Sequence, residues 1–285
     1  MAIVNTKQLI DCELEGRVRQ YTWRKSPTQT IVSGAWFDIS MSPGNPPAQY
    51  YIGAAYSATV LARSTDGGIN HGPNVSPSTK YLRAATNMTA TSTALPLPMM
   101  LCDYLLCYPF IDTSVVEEVA MVNTNVLTRY TDGNGVQVMA VQTNAGIGGQ
   151  SFFFTYTNSN GVSGRISQTV TMSTATGTGV LIASSLGTAK IPGPFIGLQD
   201  GDSGVRSIES VTMLGGDVGL FALVLVKPLL WTQIFEITAP YEKDVLLGGN
   251  EIPRIYDDAF LNYIVRPNGA LSSTALLGDV KVIWD

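Results

Sequence analysis

The stretch Val205-Arg-Ser-Ile-Glu-Ser-Val-Thr-Met-Leu-Gly-Gly-Asp-Val-Gly-Leu-Phe-Ala-Leu-Val-Leu-Val-Lys227 decides the fold class of this 285-residue chain. Residues 205–212 alternate between two faces, which is typical of a strand with one partly solvated side. One face carries Val205, Ser207, Glu209 and Val211, and the other carries Arg206, Ile208, Ser210 and Thr212. The Gly-rich residues 214–218 predict a turn, and the apolar residues 220–226 predict a strand buried on both faces. The stretch therefore predicts a hairpin that leads into the core of a sheet.

Many short extended segments, separated by Gly, Pro and Asn, surround this hairpin. They predict a mainly β fold, an antiparallel β-sandwich of jelly-roll-like type with one or two short helices. The clearest second hairpin joins residues 152–157 to residues 162–172 through Asn158-Ser-Asn-Gly161, because Asn-Gly readily adopts the positive φ angles of a tight turn. The other predicted strands are residues 30–40, 50–61, 81–91, 136–143, 234–238, 259–265 and 270–284.

One apolar run leaves two structures open. Residues 95–109 are apolar nearly all round and carry Pro at both ends. A buried helix between Pro98 and Tyr108 fits the length and the proline placement, and it is the favoured prediction. A buried strand is the alternative.

The N-terminal segment is separate in character from the β-rich body. Residues 1–28 predict either a short helix, capped by Asn5 or Thr6 and ending at Leu14, or an arm that reaches a neighbouring subunit. Residues 29–285 form the β-rich body. A division into two β subdomains near residues 112–118 is an option, although no flexible linker marks it.

Composition excludes several classes of function. Charged residues make up 14% of the chain, against about 25% in typical domains. The net charge of -5 argues against direct nucleic-acid binding, since that depends on Lys and Arg at the phosphates. Uncharged apolar runs are too short to predict a membrane span. Three sparse cysteines and the lack of a visible secretory signal predict synthesis in a reducing cytoplasm rather than a disulfide framework.

Gly201-Asp-Ser-Gly204 resembles the loop around the nucleophilic serine of chymotrypsin-like proteases. That chemistry needs a His base against Ser203, and His71 is the one histidine of the chain. Val205 stands where the protease pattern has another Gly, and the residues around His71 do not match either. Asp and Ser also bond their own backbone in ordinary turns. We therefore expect a turn here, and a protein that is not an enzyme, with a serine hydrolase as a distant third function.

No cofactor or metal site is expected. Asp200 with Asp202, and Asp257 with Asp258, lack the ligand spacing of a calcium loop. Glu117 and Glu118 are adjacent, so on a strand they point to opposite faces and do not form a glycosidase pair. The aromatic residues at 50–51, 152–154 and 231 either line a sugar-binding groove or pack in the core, and core packing is the commoner use.

Several stretches resemble virion structural proteins of tailed bacteriophages. They include Trp36-Phe-Asp-Ile-Ser-Met-Ser-Pro-Gly-Asn-Pro46, Pro253-Arg-Ile-Tyr-Asp-Asp-Ala-Phe-Leu-Asn262 and residues 103–112, 129–136, 155–165 and 201–211. The likeness is to head-associated proteins of the decoration, cement or minor capsid kind. It implies a virion protein at the capsid surface, made in the host cytoplasm, whose partners are the major capsid protein and its own copies, with a homotrimer favoured. It implies no catalytic residues.

The segment after Pro253, together with the last predicted strand, is where we expect subunit contacts. The predicted interface residues are Arg254, Tyr256, Asp257, Asp258 and Trp284. A carbohydrate- or receptor-binding β module of a head fibre or tail is the alternative function. In that alternative, Trp36 and Tyr50 contribute to the binding.

Overall fold

The computed structural model describes residues 3, 5–28, 34–174, 177–183, 193–246, 252–272 and 274–285. In these ranges there are two short α-helices, α1 (Thr6–Leu14) and α2 (Arg63–Asp66), and a 3-10 turn at Ile39–Met41. The strands are β1 (Val18–Lys25), β2 (Phe37–Asp38), β3 (Gly44–Asn45), β4 (Thr59–Val60), β5 (Lys80–Thr89), β6 (Leu97–Asp112), β7 (Glu118–Ala120), β8 (Gln137–Asn144), β9 (Ser151–Asn158), β10 (Arg165–Ile166), β11 (Val170–Thr171), β12 (Val205–Met213), β13 (Leu220–Ile234), β14 (Tyr241–Asp244), β15 (Arg254–Ile255), β16 (Leu261–Val265) and β17 (Leu276–Trp284).

The strands form three sheets, and every named strand pair in the described ranges is antiparallel. The terminal sheet has the order β14-β5-β17-β1-β3, with β15 also paired to β5. The hairpin sheet has the order β10-β9-β12-β7, with β11 also paired to β9. The central sheet has the order β2-β16-β6-β13-β8, with β4 also paired to β6. The mainly β, antiparallel sandwich predicted from the sequence is confirmed.

The apolar run at 95–109 is a strand, so the favoured helix prediction was wrong and its alternative is right. β6 is 16 residues long and pairs with β13 from one end to the other. Residues 101–109 are all buried. A strand covered on both faces gains from apolar residues at every position, and such a run cannot be told from a buried helix by its period.

The predicted hairpin of 205–226 was also wrong, although both of its strands exist. β12 pairs with β9 and β7, whereas β13 pairs with β6 and β8. The turn at 214–219 therefore carries the chain from one sheet to another. Residues 221–226 are buried on both faces as predicted. In β12, two bulges shift the register of the pairing with β9. The buried residues therefore do not alternate strictly along the strand; they include Val205, Ile208, Val211 and Met213.

The other predicted strands are matched in part. The hairpin around Asn158-Ser-Asn-Gly161 is confirmed, with β10 and β11 both pairing back onto β9. The predicted ranges 81–91 and 136–143 overlap β5 and β8, and the ranges 259–265 and 270–284 contain β16 and β17. Residues 50–61 are strand only at β4, and 234–238 only at the last residue of β13. Residues 30–33 of the predicted strand 30–40 lie outside the described residues, and within the rest only Phe37–Asp38 is strand.

The central sheet contributes to the main hydrophobic cores. Its strands pack against the hairpin sheet in a core that includes Leu106, Tyr108, Phe154 and Leu223. They pack against the terminal sheet in a second core that includes Met99, Leu101, Trp23 and Val280. A third core, with Cys107, Val224 and Trp36, lies on the opposite side of the central sheet from Leu106 and Tyr108. Thus β6 and β13 belong to all three cores.

The N-terminal segment begins with the predicted helix. Asn5 is the N-cap of α1, and its side chain accepts a hydrogen bond from the backbone N–H of Gln8 at 2.9 Å. The helix packs Leu9 and Cys12 against Ile283 of the terminal sheet. β1 then pairs with β17 of the same chain. The alternative of an arm onto a neighbouring subunit, and the division near 112–118, stay predictions, although strands from both sides of 112–118 share the terminal sheet and the central sheet.

A buried ion pair fixes the centre of this arrangement. Arg129 donates to both carboxylate oxygens of Asp103, at 2.9 and 3.0 Å, and its side chain is 5% exposed. The same guanidinium donates to the carbonyl oxygens of Leu61 and Tyr104 at 2.9 and 2.8 Å. Asp103 also accepts from the backbone N–H of Phe260 at 3.0 Å. One pair therefore joins β6 to three segments that are distant in sequence.

We expect Asp103→Ala to lower the free energy of unfolding by about 3–5 kcal/mol, because it leaves a buried guanidinium without its counter-charge. Urea denaturation followed by tryptophan fluorescence measures this. The matched control is Asp11→Ala, which removes a surface carboxylate that lies 3.8 Å from Lys7 and is 47% exposed; its expected cost is under about 1 kcal/mol. Equal losses of unfolding free energy in the two variants would contradict the stabilising role of the Asp103–Arg129 pair.

Candidate interaction surfaces

The Gly201-Asp-Ser-Gly204 loop is organised by its aspartate and not by its serine. The Asp202 carboxylate accepts hydrogen bonds from Tyr156 and Asn158, both at 2.7 Å, and from Arg165 at 2.9 Å. Its side chain is 4% exposed. The hydrogen bond from Arg165 holds the pKa of Asp202 below its ordinary value. The aspartate thus ties the loop to the hairpin of β9 and β10.

Ser203 and His71 have different partners. The hydroxyl of Ser203 bonds that of Ser159 at 2.9 Å. The Nε2 atom of His71 donates to the carbonyl of Ala259 at 2.9 Å, and its Nδ1 lies 3.4 Å from the ammonium of Lys80. Burial lowers the pKa of His71 to about 3. A histidine held in this way is a core residue, and the described contacts do not join it to Ser203.

Three of the five predicted interface residues are held by contacts with other parts of the chain, outside the groove described below. Asp257 lies 3.2 Å from the buried ammonium of Lys80. Asp258 accepts from the backbone N–H and the hydroxyl of Ser64, at 2.8 and 3.0 Å, and so caps α2. Trp284 is half-buried, with the guanidinium of Arg19 5.8 Å from its ring centre. Their role in subunit contacts stays a prediction.

The other two, Arg254 and Tyr256, line a surface groove, which we call the tyrosine groove. It encloses about 820 Å³ between β15, the loop 130–134 and the middle of β13. Arg254 and Tyr256 are two residues apart at β15, and this spacing places side chains on the same face of a strand. The groove is lined by Tyr81, Tyr130, Thr131, Asp132, Asn134, Lys227, Pro228, Leu229, Ile252, Pro253, Arg254 and Tyr256.

Two cations and two aromatic rings form a row along this groove. The ammonium of Lys227 lies 5.4 Å from the ring centre of Tyr130. Tyr130 meets Tyr256 edge to face at 5.0 Å. The guanidinium of Arg254 lies 4.3 Å from the ring centre of Tyr256. Cations are attracted to ring faces at such distances, so the row holds both charges in defined positions.

The backbone around Tyr130 holds this row in place. Tyr130 follows the buried Arg129 and has a positive φ of 49°, which costs about 1–3 kcal/mol for a residue with a side chain. Its hydroxyl donates to the carbonyl of Arg254 at 3.2 Å. Lys227 donates to the carbonyl of Asn134 at 2.8 Å. The neighbouring Gly135 has a positive φ of 68°, which favours glycine, and an added Cβ there would displace the ammonium of Lys227.

A second surface carries exposed aliphatic side chains on adjoining loops, and we call it the apolar tip. It consists of Val116, Ile147, Leu214 and Val218, which are 50%, 69%, 56% and 61% exposed. Each lies in a loop next to the hairpin or central sheet. Apolar groups that converge on an exposed surface indicate a site of interaction with another molecule.

Hydrogen bonds connect the loops of the apolar tip to one another. Asp217 accepts from the backbone N–H groups of Ile147 and Gly148, at 3.3 and 2.6 Å, and donates its own N–H to Thr113 at 2.9 Å. Leu214 donates its N–H to Ser151 at 2.8 Å. The exposed side chains therefore stand on a pre-ordered frame, which lowers the entropy lost on binding.

Most aromatic residues singled out in the sequence are in the core. Tyr51, Phe152 and Phe154 are buried, as core packing predicts. Trp36 is 2% exposed, so it is not a surface residue for a sugar, whereas Tyr50 is 56% exposed. Trp231 is 48% exposed and packs edge to face against Trp36 at 5.5 Å.

The cysteines and carboxylates form no site of their own. Cys12, Cys102 and Cys107 are free and buried. In the described ranges, no cluster of three or more His, Cys, Asp or Glu residues is placed to hold a metal ion. The two helices of the described chain are also too short to cross a membrane.

The chain has little detectable likeness to known proteins. No protein-family model matches it, and no curated protein matches it. Among solved structures it was aligned with "Crystal structure of infectious bursal disease virus VP2 subviral particle". That alignment has 10% identity and a TM-score of 0.10 and covers 94% of this chain and 79% of the other. A TM-score of this size does not indicate a shared fold.

We expect Asp202→Asn to lower the free energy of unfolding by about 1–3 kcal/mol. The NH₂ group of the asparagine would then face one of the three side chains that now donate hydrogen bonds to Asp202, and two donors cannot bond each other. Asp200→Asn, an exposed neighbour, is the matched control and is expected to cost under about 0.5 kcal/mol. Ser203→Ala is likewise expected to be nearly neutral. A larger loss in Ser203→Ala than in Asp202→Asn would contradict the structural role of the aspartate.

The effect of Asp202 is expected to depend on pH. Its pKa is lowered in the folded chain, so its stabilisation is fully present above the unfolded value of about 3.9. It is lost as the pH falls through the lower folded pKa. The difference in unfolding free energy between the native chain and Asp202→Asn therefore shrinks below pH ~4. Denaturation curves between pH 7 and the acid limit of folding measure it, and a constant difference would contradict the pKa shift.

Proposed function

We propose that this chain is a structural protein of a tailed-bacteriophage virion, which binds the assembled capsid and stabilises it. The observation that carries the proposal is the apolar tip. Val116, Ile147, Leu214 and Val218 are exposed on loops that are hydrogen-bonded to each other. This arrangement suits docking onto a protein surface better than it suits isolation in water.

The low share of charged residues supports the same function. Only 14% of residues are charged, and charged residues are depleted at the buried centre of protein interfaces. The proposed partner is the major capsid protein at the capsid surface. A protein that binds only the assembled shell shifts assembly toward that shell by mass action, and several contacts per oligomer add avidity.

The proposed assembly is a homotrimer made in the host bacterial cytoplasm, because closed symmetric oligomers match the symmetry of a shell. Arg254 and Asp258 are the predicted places for subunit contacts. Sedimentation of the purified protein measures the oligomer, and charge reversal at either residue is expected to weaken it. A monomer at micromolar concentration contradicts the trimer without contradicting capsid binding.

We expect the double variant Ile147→Asp/Val218→Asp to reduce incorporation into virions at least tenfold, because it places two charges at the contact. The matched control is Val126→Asp/Val162→Asp, which adds the same charges at valines that are 67% and 51% exposed outside the tip. Quantitative mass spectrometry of purified virions gives the ratio to the major capsid protein. Absence of the native chain from virions, or equal incorporation of both variants, contradicts the proposal.

A carbohydrate- or receptor-binding module is the second candidate function. The tyrosine groove favours it, because aromatic rings, an amide and a hydroxyl line one open concavity. Glycan-array binding by the purified chain tests this candidate without any virion.

A further inference from the structure

The tyrosine groove contains the guanidinium of Arg254, which an aromatic ring holds in place and whose N–H groups remain available to a ligand. Arg254 is exposed, and its stacking on Tyr256 at 4.3 Å restricts its orientation. In the described part of the chain, no hydrogen bond or ion pair satisfies its side-chain N–H groups. The planar fork of such donors matches a carboxylate, which it binds through two parallel hydrogen bonds.

The charge of the groove is opposite to that of the molecule. Among the described residues that line it, Lys227 and Arg254 are cationic and Asp132 alone is anionic, whereas the whole chain carries -5. Asp132 is also engaged, since it accepts from the N–H of Asn134 at 3.1 Å. Because cations held against aromatic rings are partly desolvated, they attract an anion more strongly than freely hydrated ones.

Neutral groups in the groove provide the rest of a recognition site. Thr131 and Asn134 supply a hydroxyl and an amide, and both are exposed. Tyr81 adds a ring, and Pro228 and Leu229 add an apolar wall. The volume of about 820 Å³ falls in the range of about 300–1,000 Å³ typical of small-ligand sites. This combination suits sugar rings better than a long peptide.

We propose that the tyrosine groove binds an acidic oligosaccharide, whose carboxylate pairs with Arg254 and whose sugar ring packs against the tyrosines. The proposal deepens the second candidate function and rests on it. It is independent of capsid binding, because the apolar tip consists of other residues. Lys227 adds attraction for the anion, and Thr131 and Asn134 meet its hydroxyl groups.

Isothermal titration of the full chain with trigalacturonic acid and sialyllactose, and with neutral maltotriose, tests the site. We expect at least one acidic sugar to bind at least tenfold more tightly than maltotriose, and more weakly as salt rises. Arg254→Gln is expected to lose at least tenfold in affinity for it. Arg24→Gln, an exposed arginine on β1, is the matched control and leaves the affinity unchanged.

Several outcomes would overturn the proposal. The first is that neither acidic sugar binds, and the second is that Arg254→Gln binds the sugar as tightly as the native chain. The third is that hexaglutamate binds more tightly than the sugars, which would assign the groove to acidic peptides. The predicted subunit contact and the sugar site compete for Arg254, so loss of the oligomer in Arg254→Gln on size-exclusion chromatography would assign the residue to the subunit contact and overturn the sugar proposal. The Ile147→Asp/Val218→Asp variant is expected to keep sugar binding, so failure at the tip and failure at the groove are distinguishable.

Discussion

The bidentate pair between Asp103 and Arg129 is the interaction on which the arrangement of the sheets depends. Two charges inside a protein are stable only when they are well partnered, and here Nη2 of Arg129 also donates to the carbonyl oxygens of Leu61 and Tyr104, while Asp103 also accepts from the backbone N–H of Phe260. The pair joins the middle of β6 to the start of β16 and to the loop before β8. It also determines where Tyr130 lies, because that residue follows Arg129 directly. A contact that serves stability thus also positions the tyrosine groove.

Sequence patterns predicted the fold class well and the path of the chain less well. Apolar runs bounded by Gly and Pro identified β13, and Asn158-Ser-Asn-Gly161 identified a true hairpin. The same reasoning failed for β6, because burial on both faces removes the alternation that distinguishes a strand from a helix. It failed again for the turn at 214–219, since a Gly-rich turn looks the same whether its strands pair with each other or enter different sheets. Pairing partners are decided by contacts distant in sequence.

The tyrosine groove and the apolar tip could be predicted from the sequence only where two of their residues lie close together in one short segment. Arg254 and Tyr256 share a face through their spacing of two, and that signal is visible in the sequence. Tyr130 joins them from 124 residues away and Lys227 from another strand, 27 residues before Arg254, so no local pattern reveals the row. The apolar tip likewise takes its four aliphatic residues from three different loops. Its one local sign is the pair Leu214 and Val218, which places apolar residues on both sides of a Gly-Gly turn, where polar residues are more usual.

The shared strands have a mechanical consequence. β6 and β13 run antiparallel through 13 paired positions, and the same two strands take part in all three cores. A pull along the strands therefore acts on many hydrogen bonds at once rather than opening them one after another. The central sheet packs against the hairpin sheet in one core and against the terminal sheet in another. Separating either pair of sheets by pulling out β6 or β13 would also disrupt the other pair, because both cores use these strands. We therefore expect the three sheets to resist such a pull together, as one unit.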